Sequence, residues 1–155
     1  MKRRWWLGGL VAAWAIGLLI AAIWSVHNDP PTVRGQSDLE QGRATLEAAI
    51  ATVVEVAGPA ANPQVQPQQL TTGCRISVSR DGTELDQTVV MTVPAGQEGQ
   101  LLERLAAELP ADWDAHYNPE RNRFRADAGD FVAIRGEVAE PGEVRLTAGT
   151  GCRPS

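Results

Sequence analysis

The sequence predicts an α+β protein: one N-terminal transmembrane helix, then an antiparallel sheet of about six strands with two helices packed on one face. Three observations lead there. The run Trp5–Val26 contains no ionisable residue, and roughly 20 apolar residues cross a bilayer as a helix. Two later stretches repeat apolar residues at helical spacing. The remainder alternates apolar and polar residues around the turn signals Asp81-Gly82, Asn118-Pro119 and Pro141-Gly142, which is the pattern of hairpins.

The first element is the apolar run. It is longer than the roughly 7–15 residues of a signal-peptide core, and "IWSVHNDPP" after it offers no A-x-A cleavage site. Trp24 suits an interfacial anchor. A retained anchor over residues 1–26 is therefore expected. Lys2, Arg3 and Arg4 precede the span, and the far flank is poor in basic residues. The positive-inside rule puts the N-terminus in the cytoplasm and the bulk of the chain outside, as a single-pass protein of the cell membrane. Gly9, Ala13, Gly17 and Ala21 recur every four residues, a small-residue stripe suited to contact with another transmembrane helix.

A linker spans 27–36, where Pro30-Pro31 stops the helix from running on. The domain then occupies 37–155. Ser37 and Glu40 have the spacing of a capping box. Leu39, Leu46, Ile50, Val53 and Ala57 mark one face of a helix over about 38–57 that Gly58-Pro59 ends. The Pro- and Gln-rich stretch 59–73 reads as extended and irregular.

Folding about Asp81-Gly82 pairs Val78 with Leu85, Ile76 with Gln87 and Cys74 with Val89. Ile76, Val78, Leu85, Val89, Met91 and Val93 then share one face. Leu101, Leu102, Leu105 and Leu109 stripe a second helix that stops at Pro110. A second hairpin turns at 118–121. It sets Trp113, Ala115 and Tyr117 against Ala126, Phe124 and Asn122, with Asp112, Asp114 and His116 on the opposite face, against Asp127, Arg125 and Arg123. A third hairpin turns at Pro141-Gly142. Val132, Ile134 and Val138 match Val144 and Leu146 in face only if its loop holds an odd number of residues, with Gly142 left-handed.

Thr72-Gly73-Cys74-Arg75 and Thr150-Gly151-Cys152-Arg153 repeat one tetrapeptide and contain both cysteines. Outside the cytoplasm two thiols persist as a disulfide. A Cys74–Cys152 bridge would close a loop of nearly 80 residues and stabilise by roughly 4–5 kcal/mol in the chain-entropy model. It is expected to tie the last strand to the first, as antiparallel neighbours.

Charge limits the partners. Setting aside Lys2, Arg3 and Arg4, 11 of the 14 basic residues face 19 acidic ones, a net charge of −8. Such a surface repels nucleic acid. Asp112, Asp114 and His116 would project together from a strand and could offer metal ligands. Arg123 and Arg125 opposite them favour a solvated charge ladder instead, so no metal or other cofactor is expected. Arg121, Arg123 and Arg125 could alternatively capture an acidic group, which makes Asp112, Asp114, His116 and the three arginines a speculative binding face. No serine elbow, reduced cysteine or phosphate loop accompanies them, so the sequence points away from an enzyme.

In its "MKRRWW" start, single span, Pro-broken linker and closing "RLTAGTGCRP", the chain resembles small anchored or secreted proteins of high-GC Gram-positive bacteria. The resemblance lies in layout and implies an envelope location without implying an activity. The expected function is a membrane-anchored envelope protein whose extracytoplasmic domain binds an envelope or membrane protein, or self-associates through its span. The alternative is a ligand- or metal-binding receptor domain.

Overall fold

The computed structural model describes residues 13–24, 37–77 and 80–154. Its elements follow the order α1 (13–24), α2 (Leu39–Ala57), β1 (Gln64–Val65), β2 (Gln69–Ser77), β3 (Arg80–Thr92), α3 (Glu98–Glu108), β4 (His116–Asn118), β5 (Arg123–Asp127), β6 (Ala133–Glu140) and β7 (Glu143–Gly149). The α+β class stands, with seven antiparallel strands in one sheet. The additional strand is β1, two residues inside the stretch expected to be irregular. The path is β1-β3-β7-β6-β5-β4, and β2 joins β1 along the edge of β3 that faces away from β7.

Alternation builds the core. One cross-strand row runs Val89–Leu146–Gly136–Phe124–Tyr117, and the next runs Met91–Val144–Val138. Leu46, Ile50 and Val53 of α2 and Leu101, Leu102 and Leu105 of α3 are buried in the same cluster. Both helices therefore cover one face of the sheet, as the apolar spacing requires. Gly136 is needed for close approach, since a Cβ there would overlap a methyl of Leu146 and lie 3.0 Å from Phe124. Between the helices, Arg104 donates to the carbonyl of Ala57 at 3.0 Å, placing a cation at the negative end of α2.

The third hairpin matches its faces by another route than an odd loop: Glu140 pairs with Glu143, so the loop holds two residues. Val138 faces Val144 because a bulge near Ala139 adds one residue, and Gly142 is left-handed at φ +86°. Glu98, at the start of α3, accepts from the backbone N–H groups of Gly142 and Gly96. Those bonds hold its carboxyl below the ordinary range.

Two expectations are corrected. Asp38, not Ser37, caps α2, accepting from the N–H of Gln41 at 2.9 Å. Ser37 is drawn instead toward Asp130 and Arg153. The first hairpin also turns earlier: Thr72 pairs with Thr83, Cys74 with Gly82 and Ser77 with Arg80. Asp81-Gly82 thus lies inside β3 rather than at the turn, and Val78 lies outside the described residues. The reason is steric. A Cβ on Gly82 would meet the Arg153 carbonyl at 2.5 Å and Cys152 Sγ at 2.8 Å. The glycine serves close approach, and its turn-forming ability is not used.

That position is where the disulfide passes. Cys74 and Cys152 are bonded, with Cα atoms 5.8 Å apart. Their segments are not neighbours, which corrects the expected direct pairing. Cys74 lies on β2, whereas the residues after β7 run along the other edge of β3. There Thr83 and Arg153 exchange backbone bonds and Thr150 donates to Leu85. The bridge therefore clasps two flanking segments across β3. Reduction of the full chain is expected to lower its unfolding free energy by roughly 2–5 kcal/mol. Urea denaturation with and without reductant measures this, and overlapping curves would show that the clasp adds nothing.

Candidate binding site

Pro110 ends the second helix, and Ala111–Trp113 form a 3₁₀ turn closed by Asp114 in the left-handed region at φ +46°. Strand geometry therefore begins only at His116. The hairpin register follows from this: His116 faces Arg125, Tyr117 faces Phe124 and Asn118 faces Arg123. This is two residues away from the expected pairing. Asp112 and Asp114 consequently do not alternate with His116 on a strand, and Asp114 is not opposite Arg125. The turn is fastened by Tyr117 Oη donating to Asn122 Oδ1 at 2.9 Å and by Arg121 N donating to Asn118 Oδ1 at 3.1 Å. Arg121 is exposed in that turn, and Arg123 forms an ion pair with Glu137 of β6.

Although the strand argument fails, these side chains still meet. Asp112, Asp114, His116 and Arg125 line a groove of about 620 Å³, together with Asp127 and the loop 129–131. His116 Nδ1 lies 3.2 Å from the Asp114 carbonyl oxygen. Among the described residues no group of three or more His, Cys, Asp or Glu is placed to hold a metal ion.

The far wall of the groove is unusual backbone. Gly129, Asp130 and Phe131 are all left-handed, at φ +81°, +47° and +57°. A non-glycine residue there costs about 1–2 kcal/mol, and such conformations persist where surroundings over-determine them. The surroundings here are Arg153. Its guanidinium donates to the carbonyls of Thr150, Ser37 and Asp130, to Ser37 Oγ, and to the Asp130 carboxylate at 3.4 Å. Ser37 also donates to the same carboxylate through its N–H and its hydroxyl. Arg153 is wholly buried and lies on Gly42 of α2, where a Cβ would come within 2.6 Å of Nε. Phe131, by contrast, is left 47 % exposed at the groove.

Partial burial alone would raise the Asp130 carboxyl. The Ser37 hydrogen bonds and the Arg153 charge together outweigh it and hold the group below its ordinary value of 3.8.

Arg125 also belongs to the sheet face that, among the described residues, no helix covers. One row there runs His116–Arg125–Arg135–Thr147–Thr88, and the next runs Asn118–Arg123–Glu137–Arg145–Val90. A smaller depression of about 390 Å³ is lined by Arg123, Arg125, Arg135 and Arg145, with Glu137 and Thr147.

Of the sequence-predicted residues, Cys74 and Cys152 are joined, and Asp112, Asp114, His116 and Arg125 share one groove. Gly9 lies outside the described residues, as do 1–12 and 25–26 of the expected span. Ala13, Gly17 and Ala21 lie at four-residue spacing on α1, all exposed. Among the described residues no helix is long and apolar enough to cross a membrane. Sequence reasoning places Asp127 on this face without a role and misses Asp130, Phe131, Arg135, Arg145 and Arg153. Alternating charges in "IRGEV" and "EVRLT" were a visible signal for Arg135 and Arg145. Nothing local marks Asp130 or Arg153. Comparison with protein-family models, curated proteins and solved structures finds no match to this chain.

The Asp130 anchor has a pH signature. Its folded-state value lies below the unfolded one, so the ionised group adds stability that is complete above 3.8 and is lost as pH falls through the folded value. Asp130→Asn is expected to cost roughly 1.5–3 kcal/mol at neutral pH and to flatten part of the decline below pH 3.8. Denaturation midpoints across acid pH, compared with the parent chain, measure both effects, and parallel curves would contradict the anchor.

Proposed function

We propose that the chain is a single-pass, membrane-anchored envelope protein whose disulfide-closed extracytoplasmic domain binds another envelope or membrane protein, with no catalysis of its own. The observation that carries this reading is the Cys74–Cys152 bridge. A disulfide closing so long a segment persists in oxidising compartments and is rare in the cytosol, so it is compatible with a domain on the far side of the membrane. The uncharged run Trp5–Val26 behind three basic residues supplies the means of retention and the orientation. Ala13, Gly17 and Ala21 add a close-packing stripe for a helix partner.

The chemistry of the groove supports binding rather than turnover. Both cysteines are oxidised, and its charged side chains are exposed or half-exposed donors and carboxylates. The experiment is topological. In membranes from cells expressing the full chain, the protein is expected to resist alkaline extraction. Externally added protease should remove the domain, and a membrane-impermeant maleimide should label its cysteines only after reduction. Protection from protease, or labelling without reduction, would overturn the assignment.

The second reading is a ligand- or metal-receiving domain, favoured by the shared groove of Asp112, Asp114 and His116. Arg125 in the same groove opposes a divalent cation by its charge. Calorimetric titration of the full chain in micelles with Zn²⁺ or Ca²⁺ is therefore expected to give no binding heat. A heat that disappears in His116→Ala would establish the metal reading instead.

A further inference from the structure

We infer that the uncovered face of the sheet carries an oxyanion site built on Arg125 and Arg135, which takes a discrete phosphate group of a soluble ligand. The inference rests on reading the domain as a binding module, and it adds the class of ligand.

Arg125 and Arg135 are directly opposite each other on β5 and β6. Side chains so placed have Cβ atoms about 4.5–5.5 Å apart, and like charges there repel. The neighbouring arginines on this face are neutralised locally, Arg123 by Glu137 and Arg145 by Glu143. Among the described residues, Arg125 and Arg135 form no ion pair with a carboxylate. Asp86 feels the charge of Arg135 without a bond to it. The domain is strongly acidic overall, yet it sets side by side two guanidinium groups that, among the described residues, no carboxylate pairs directly.

The row continues in the same chemical sense. Arg135 faces Thr147, which faces Thr88, and the two hydroxyl oxygens are 3.2 Å apart. Two guanidinium groups and two hydroxyls make a donor-rich strip that suits an acceptor-only ligand. Guanidinium matches phosphate through paired, parallel hydrogen bonds. A phosphate dianion also neutralises both arginines, whereas one carboxylate neutralises only one. The depression of about 390 Å³ above them leaves room for the group and part of its ester.

The same electrostatics select the source. An extended anionic surface would meet the whole acidic domain, including Asp112, Asp114 and Asp127 beside Arg125. A single phosphate responds mainly to charges within a Debye length, about 8 Å at physiological salt. A discrete ligand is favoured over a lipid surface.

The test is thermal unfolding of the full chain in nonionic-detergent micelles, with inorganic phosphate against chloride at matched ionic strength. Phosphate is expected to raise the wild-type midpoint saturably, and Arg43→Gln on α2 should respond in the same way. Arg125→Gln and Arg135→Gln should start a few degrees above wild type, because repulsion is relieved, and should lose the phosphate response. Arg135→Glu sets a carboxylate opposite Arg125 and should be both stabilised and blind to phosphate. That combination cannot come from misfolding. Equal phosphate responses in wild type and the arginine variants, or none in wild type, would overturn the site. So would an arginine-dependent shift produced by doping the micelles with phosphatidylglycerol but not by phosphate. Because the readout needs neither a compartment nor a protein partner, it can fail or succeed apart from the membrane topology proposed above.

Discussion

One buried guanidinium positions the rest of the domain. Arg153 takes its charge fully out of water, an expense of several kcal/mol that an arginine cannot avoid by losing its proton. The structure offsets this by surrounding the group with oxygen. The carbonyls of Thr150, Ser37 and Asp130, the Ser37 hydroxyl and the Asp130 carboxylate all accept from it. Those acceptors come from the segment after β7, the start of α2 and the loop between β5 and β6, three places distant in sequence. Gly42 leaves room for the guanidinium beneath the helix. The apolar face of α2 seats the helix on the sheet, and Arg153 fixes its N-terminal end, the left-handed loop and the mouth of the groove to one another.

The repeated tetrapeptide is a local device rather than a duplication. Gly73 and Gly151 are both left-handed, at φ +81° and +65°. Each thereby redirects the chain just before a cysteine, and at Gly73 the turn coincides with a shift in strand register. The surroundings then diverge. Thr150 is buried, with its hydroxyl bonded to the N–H of Leu85 and to the carbonyl of Gly151, whereas Thr72 is exposed. Arg75 points into solvent while Arg153 fills the interior. Four identical letters thus do one shared thing, aiming a sulfur across Gly82, and otherwise serve different ends.

What could be read from the sequence was whatever periodicity controls. The leucine stripe of α3, the apolar face of α2, the third turn at Pro141-Gly142 and the pairing of the two cysteines follow from local spacing and from their number, whereas the bulge that aligns that hairpin's faces does not. Errors arose where a long-range contact claimed a residue with strong local meaning. Asp81-Gly82 has ideal turn chemistry, but the crossing of Cys152 and the Arg153 carbonyl needs a residue without a side chain there. Ser37 could cap a helix, but Asp130 and Arg153 draw it away. At the groove, Asp112, Asp114 and His116 share one wall through a 3₁₀ turn and not through the strand alternation that the spacing suggests. Asp130 was illegible because its partners lie 93 positions before it and 23 after it.

The clasp and the buried arginine share a further property: Cys152 and Arg153 follow all seven strands in the chain. β7, the interior strand that joins β3 to β6, ends at Gly149, so Cys152 and Arg153 lie within four residues of the strand that unites the two halves of the sheet. Without Thr150–Arg153, Thr83 and Leu85 lose their backbone partners on one edge of β3, and Ser37 and Asp130 lose the guanidinium. The closing of the sheet, the covalent clasp and the seating of the buried charge thus all fall to one short stretch, 143–153, and are completed together.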